Sequence, residues 1–363
     1  MHSFEFSRPS YLVLLGLFLF VNVAGYGQAI ISNGASPAVL LGINEGGSTN
    51  VLDTTGIGHT DSGYLGLAYF GVNSGFSGTP PGDANAPGCQ CEGWGIAANG
   101  LFAGSSDVST GGMLNGIKAD SFTSTASSAV VTNSSLSQPI TVVQDYHVAA
   151  GAPANAFEDL VTITNTGTST LTGVSYARVM DFDVPPTEFD EFITLHGNGA
   201  TNLISTSDDG FALPDPTTAF SAITGCGTAN TDFTHCGPAD HGAAFAFNFG
   251  ALTAGSSISF SVFYGAALDE LSALTALSAL GAEVFALGES TLASGGPATG
   301  SGTFFFGFKG VGGTPLPPPT EPPPTAVPEP SSLAMFGVSG LLVIGWRMGR
   351  RGKTSPSGYF LAS

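Results

Sequence analysis

Apolar and polar positions alternate with a period of two in several short stretches between Ile30 and Gly313, each bounded by Gly, Asn, Asp or Pro. In DLVTITNTGTSTLTGVSYARVMDF, Leu160, Thr162 and Thr164 alternate with Val161 and Ile163. The turn Asn165-Thr166-Gly167 follows, and a second strand carries Val174, Tyr176 and Arg178, so the stretch reads as a hairpin. VVTNSSLSQPITVVQDYHVAA predicts two strands around a Ser/Gln/Pro turn, and SISFSVFYGAA and TFFFGFKGVGG predict two later ones. One segment breaks the pattern. Leu268, Leu271, Leu274, Leu277, Leu280, Val284 and Leu287 recur at spacings of three and four, which predicts a helix. Asp269 and Glu270 occupy its first turn, where they favour the helix dipole, and Gly288 is its expected terminator. The expected fold is all-β: a β-sandwich-like body with one amphipathic helix. A single large sandwich and two packed units dividing between Pro139 and Pro153 both fit the pattern.

The two ends follow another rule. Arg8 precedes an apolar run from Tyr11 to Phe20, and Gly27-Gln28-Ala29 supplies a small-x-small site, so residues 1–29 read as a secretory signal peptide and residues 30–313 as the exported body. Residues 314–330 are rich in proline, which favours a semi-rigid polyproline II stalk. Leu333 to Trp346 is free of charge and, as a helix, spans about 21 Å against a hydrocarbon core of about 30 Å. Ser331, Ser332 and a snorkelling Arg347 extend it to a transmembrane helix over 331–348. Arg347, Arg350, Arg351 and Lys353 then form a stop-transfer cluster, and 349–363 become a basic cytoplasmic tail.

The quartet Val327-Pro328-Glu329-Pro330, followed by that apolar stretch and the arginine cluster, resembles the PEP-CTERM sorting signal of Gram-negative bacteria. The resemblance implies recognition of Pro328-Glu329-Pro330 by a membrane-embedded exosortase and processing near the motif. It also implies a destination at the cell surface or in an extracellular polysaccharide or biofilm matrix. The tail departs from the usual pattern by continuing from Thr354 to Ser363.

Charge narrows the partners. The chain of 363 residues has a formal net charge of −19, and between Ile30 and Ala326 only Lys118, Arg178 and Lys309 stand against 25 acidic residues. Such a surface repels phosphate backbones and excludes nucleic acid as a partner. Four cysteines, Cys89, Cys91, Cys226 and Cys236, favour two disulfides in an exported protein. A Cys89–Cys91 ring is very tight, so the expected pairing joins each of these two to Cys226 or Cys236, with a local Cys226–Cys236 loop as the alternative. His235 and His241, beside the second pair, offer a competing metal-ligand set.

Asp181, Asp183, Glu188, Asp190 and Glu191 make up the densest acidic stretch. Solvated turn acids are the plain reading and no cofactor is expected; hard oxygens so close together offer a candidate Ca²⁺ site as the alternative, although Pro185-Pro186 spreads them and no EF-hand loop is present. No nucleophile elbow or phosphate loop accompanies them. The expected function is a structural or adhesive role at the surface, without catalysis. Two alternatives remain: a Ca²⁺-dependent carbohydrate-binding module with Trp94 and Tyr146 as stacking aromatics, and a secreted polysaccharide hydrolase using paired carboxylates.

Overall fold

Short alternating stretches bounded by turn residues fold as short antiparallel strands. The protein is seen here as a computed structural model that describes residues 27–107 and 113–319. The strands are β1 (Gln28–Ser32), β2 (Val39–Asn44), β3 (Val51–Leu52), β4 (Tyr64–Leu65), β5 (Leu67–Tyr69), β6 (Gly82–Asp83) and β7 (Glu92–Ala98). Next come β8 (Leu101–Asp107), β9 (Met113–Asn115), β10 (Ile117–Ser124), β11 (Ser128–Ser135), β12 (Ile140–Val148), β13 (Ala156–Asn165) and β14 (Ser175–Phe182). The rest are β15 (Glu191–His196), β16 (Leu203–Ser207), β17 (Phe233–Ala239), β18 (His241–Asn248), β19 (Ser257–Ala267), β20 (Val284–Glu289) and β21 (Thr303–Lys309). The single helix among the described residues is α1 (Glu270–Leu280), so the body is mostly β-sheet.

Nine strands form one sheet in the order β10-β11-β12-β13-β19-β21-β20-β15-β17, and six form another in the order β16-β18-β14-β7-β8-β9. A four-stranded sheet, β1-β2-β5-β6, and the pair β3-β4 complete the body. Alternation decides which side chains enter the core. On β13, Val161 and Ile163 point inward while Leu160, Thr162 and Thr164 point out. Outside, Thr162 bonds Ser259 at 2.9 Å and Thr164 bonds Ser257 at 2.8 Å across the β13–β19 ladder.

The two large sheets meet through aromatic rings. Tyr176 of β14 lies 4.9 Å from Phe260 of β19, and Phe245 and Phe247 of β18 lie 5.1 and 4.8 Å from Phe308 of β21. Phe304, Phe306 and Phe308 share this inner face, whereas Phe305 points to the opposite one. There α1 covers the larger sheet with Ala273, Ala276, Leu277 and Leu280, which is why β21 is buried on both faces.

Three expectations change in detail. First, Asn165-Thr166-Gly167 does not close a hairpin. β13 pairs with β12 and β19, and β14 pairs with β18 and β7, so this segment carries the chain from one sheet to the other. The Asn165 side chain fixes the corner by donating to Ser169 O and Leu252 O. Second, the helix stops at Gly281, in the left-handed region at φ 72°, and residues 284–289 form β20. Gly288 therefore terminates nothing; a Cβ there would lie 2.4 Å from the Phe182 ring, so its glycine permits the close approach of β20 to Phe182. Leu268 and Leu271 are exposed, so the leucine stripe is only partly a packing face. Third, the chain remains docked beyond residue 313, since Leu316 N donates to Ala282 O at 2.8 Å.

The ladder of β11, β12 and β13 runs through Pro139–Pro153 without a break between sheets. At the other end, Gln28 and Ala29 pair with Asn44 and Ile43, which puts the expected leader boundary inside β1. The expected transmembrane segment 331–348, the motif Val327–Pro330, the cluster Arg347, Arg350, Arg351 and Lys353, and most of the expected leader lie outside the described residues. Among the described residues, no helix is long and apolar enough to cross a membrane.

Candidate functional site

Two groups of buried charge stand out, and both use β14. The first is centred on Arg178, which lies in the middle of the strand and points between the sheets. Its Nε donates to Glu92 Oε1 at 2.6 Å. Nη1 donates to Gln144 Oε1 at 2.7 Å, Tyr176 Oη at 3.0 Å and Asp159 Oδ2 at 3.2 Å. Nη2 donates to Gly47 O at 3.0 Å and Tyr146 Oη at 3.1 Å. Tyr264 caps Glu92 with a 2.9 Å bond, and its ring lies under the guanidinium. A Cβ at Gly47 would strike Gln144 Nε2 at 1.8 Å, so glycine lets the 44–49 turn bring its carbonyl to the arginine. Burial pushes the Asp159 carboxyl up to about 7 against the pull of Arg178.

The second group sits where β14 ends. Asp181 is the penultimate residue of β14, Asp183 follows the strand, Glu191 opens β15, and Asp240 lies between β17 and β18. Asp181, Asp183 and Asp240 each bring a carboxylate oxygen within 4.8 Å of the others. Asp181, Asp183 and Glu191 are fully buried, whereas Asp240 is exposed and marks the opening to solvent. The backbone fixes the positions: Asp181 N donates to Cys91 O, and Asp183 N to Ala84 O, at 2.9 Å each.

Most oxygens of the three buried carboxylates lack donors. Neither oxygen of Asp183 accepts a hydrogen bond, nor does Asp181 Oδ1 or Glu191 Oε2. Asp181 Oδ2 lies 3.5 Å from the Cys89 sulfur, which in a disulfide has no proton to give. Glu191 Oε1 accepts from His241 N at 2.9 Å. Among the described residues, the arginine and lysine ion pairs all lie elsewhere. Burial, reinforced by the charges of Asp181, Glu191 and Asp240, pushes Asp183 up to about 11. Burial with the neighbouring Asp181 and Asp240 pushes Glu191 up to about 10, and burial raises Asp181 and Asp240 as well. Asp83 on β6, raised by burial to about 6, adds a further acid nearby. An all-oxygen donor set of this kind suits a hard divalent cation.

The acidic stretch read from the sequence therefore divides. Asp181, Asp183 and Glu191 converge. Glu188 does not join them; it accepts from Gly75 N at 2.8 Å. Asp190 is exposed, and its carbonyl accepts from Thr187 and Thr291. Asp240, some fifty residues on, replaces them, and nothing in its local sequence marks it.

Both disulfides are local, against the expected pairing. Cys89 joins Cys91 with Cα atoms 5.1 Å apart, and Cys226 joins Cys236 at 5.4 Å. Gln90 and Gly88 have φ of 57° and 61°, and this left-handed turn curls Cys89 back towards Cys91. With both pairs oxidised, no thiolate is left for His235 or His241. His241 is buried with Nδ1 3.4 Å from Asp208 Oδ2. His235 Nε2 lies 3.2 Å from Glu289 Oε2 and 3.3 Å from Glu270 Oε1. Trp94 and Tyr146, the candidate sugar platforms, are both fully buried. Trp94 donates to Gly46 O at 2.8 Å, and Tyr146 belongs to the Arg178 group.

A family model described as the PEP-CTERM protein-sorting motif matches residues 326–351. The chain therefore carries this motif at its C-terminus, with Val327–Pro330 and the first three arginines of the basic cluster inside the match. The motif implies exosortase-directed processing and a secreted, membrane-anchored precursor. No curated protein matches the chain.

Proposed function

We propose that the chain is a structural or adhesive protein of the cell surface or extracellular matrix, delivered by its C-terminal sorting motif. The observation that carries this reading is the motif at residues 326–351, placed behind a large, strongly acidic body. A body of antiparallel sheets braced by two local disulfides suits a passive load-bearing part outside the cytoplasm. Burial of Trp94 and Tyr146 removes those two rings as sugar platforms and favours the structural role over the carbohydrate-binding one. Its partners would be the exosortase, the membrane during transit, and an extracellular polymer at the destination.

Mass spectrometry of both termini of the mature protein from its host tests the route. The expected mature chain lacks the leader and everything beyond Pro328-Glu329-Pro330. A chain that keeps both ends overturns the sorting reading. For the role itself, deletion of the gene is expected to weaken cohesion of the surface layer or matrix, with polysaccharide turnover unchanged. Hydrolysis of a polysaccharide by the purified protein, abolished by Glu191→Gln, would replace this role with an enzymatic one.

A further inference from the structure

We infer that Asp181, Asp183 and Asp240, with Glu191 beside them, form a binding site for a hard divalent cation, namely calcium. Three observations carry this. One oxygen from each of the three aspartates lies within 4.8 Å of the others, about twice a Ca–O bond of roughly 2.4 Å. Asp183 is fully buried with both oxygens unpartnered, and Asp181 Oδ1 and Glu191 Oε2 are likewise orphaned. Buried carboxylate oxygens normally have donors or a counter-charge, and among the described residues these four oxygens have no hydrogen-bond donor and no arginine or lysine partner. The cluster also has a way in, because Asp240 is exposed while the others are buried.

The donor set selects the ion. Carboxylates from three separate backbone segments make a spread, many-oxygen site with Asp183 free to bind through both oxygens. Calcium accepts six to eight such ligands in loose geometry, whereas magnesium demands a tight octahedron and keeps its waters. Thiolates are absent, since Cys89 and Cys91 are joined, so a soft metal gains nothing here. The choice of calcium is consistent with export, but the site stands on its own geometry.

The competing account is a cluster kept neutral by its own protons, in which case added calcium changes nothing. The test is calcium uptake and thermal unfolding of the full-length, chelator-stripped protein. The expected result is about one calcium per chain and a rise in Tm of about 5 °C at a hundredfold excess over Kd. Asp183→Asn is expected to lose both uptake and rise, whereas Asp190→Asn, on the same loop but outside the cluster, keeps both. Should Asp183→Asn fail to fold, Asp240→Asn at the exposed mouth is expected to weaken calcium binding by roughly tenfold or more. No uptake by the wild type, or uptake unchanged in both cluster variants, overturns the site. An equal rise with magnesium overturns the assignment to calcium. An unprocessed C-terminus in the host would overturn the sorting route and leave this measurement untouched.

Discussion

The Arg178 centre sits at the middle of β14 and the Asp181–Asp183–Glu191–Asp240 group gathers at its end, yet the two solve the burial of charge in opposite ways. At Arg178 the chain supplies its own cation and places an acceptor on each nitrogen of the guanidinium. At the end of β14 it buries three carboxylates and supplies no cation among the described residues. Desolvation penalises both arrangements, but only the first contains its compensation. Burial of charge alone therefore does not identify a site. What distinguishes the acidic end is the missing partner, and that points outward, to an ion from solvent.

The largest effect is expected at the arginine. Arg178→Met leaves Glu92 and Asp159 unpaired between the sheets and is expected to cost about 3–5 kcal/mol, read by denaturant unfolding. Next, Cys226→Ser with Cys236→Ser opens a loop whose ends are 10 residues apart and is expected to cost about 2–3 kcal/mol. Hydrogen exchange should then quicken around Asp240 and His241 and stay slow around Arg178; equal loosening of both would show that the two centres are not separately braced.

Acidity separates the two centres on a smaller scale. Asp159 titrates at about 7 in the folded protein, against about 3.9 in an unfolded chain. Between these values the native state holds a proton that the unfolded state has released, so stability falls as pH rises. The expected slope is at most about 1.4 kcal/mol per pH unit, flattening above about pH 8. Asp159→Asn should remove this component, and an unaltered pH profile would show that Asp159 does not titrate there. The smallest effect is expected from Asp183→Asn without divalent ions. It replaces a carboxyl that burial and neighbouring acids push up to about 11 with a group that needs no proton, so stability should not fall below that of the wild type. A loss as large as that of Arg178→Met would show that the acidic end has an internal partner after all.

Much of this was legible from period and composition. The inward Val161 and Ile163, the strand SISFSVFYGAA and the phenylalanine strand near residue 305 follow from alternation alone. The connection after Asn165 was not, because a turn between neighbouring strands and a corner between two sheets use the same residues. The spacing overextends the helix because Val284 and Leu287 keep its period, while Gly281 stops it and β20 buries them within the sheet. The Cys89–Cys91 bridge is not legible in the spacing, because it depends on the left-handed backbone at Gln90. At the acidic end, three of the five expected carboxylates converge. Asp240 arrives through the pairing of β15 with β17, a contact between residues far apart in the chain.

The most direct test of the missing-partner claim is diffraction from crystals of the protein grown in calcium, with anomalous data collected at long wavelength. The account predicts one calcium peak among Asp181, Asp183 and Asp240. Clean data with no peak there, and those carboxylates instead bonded to one another, would contradict it.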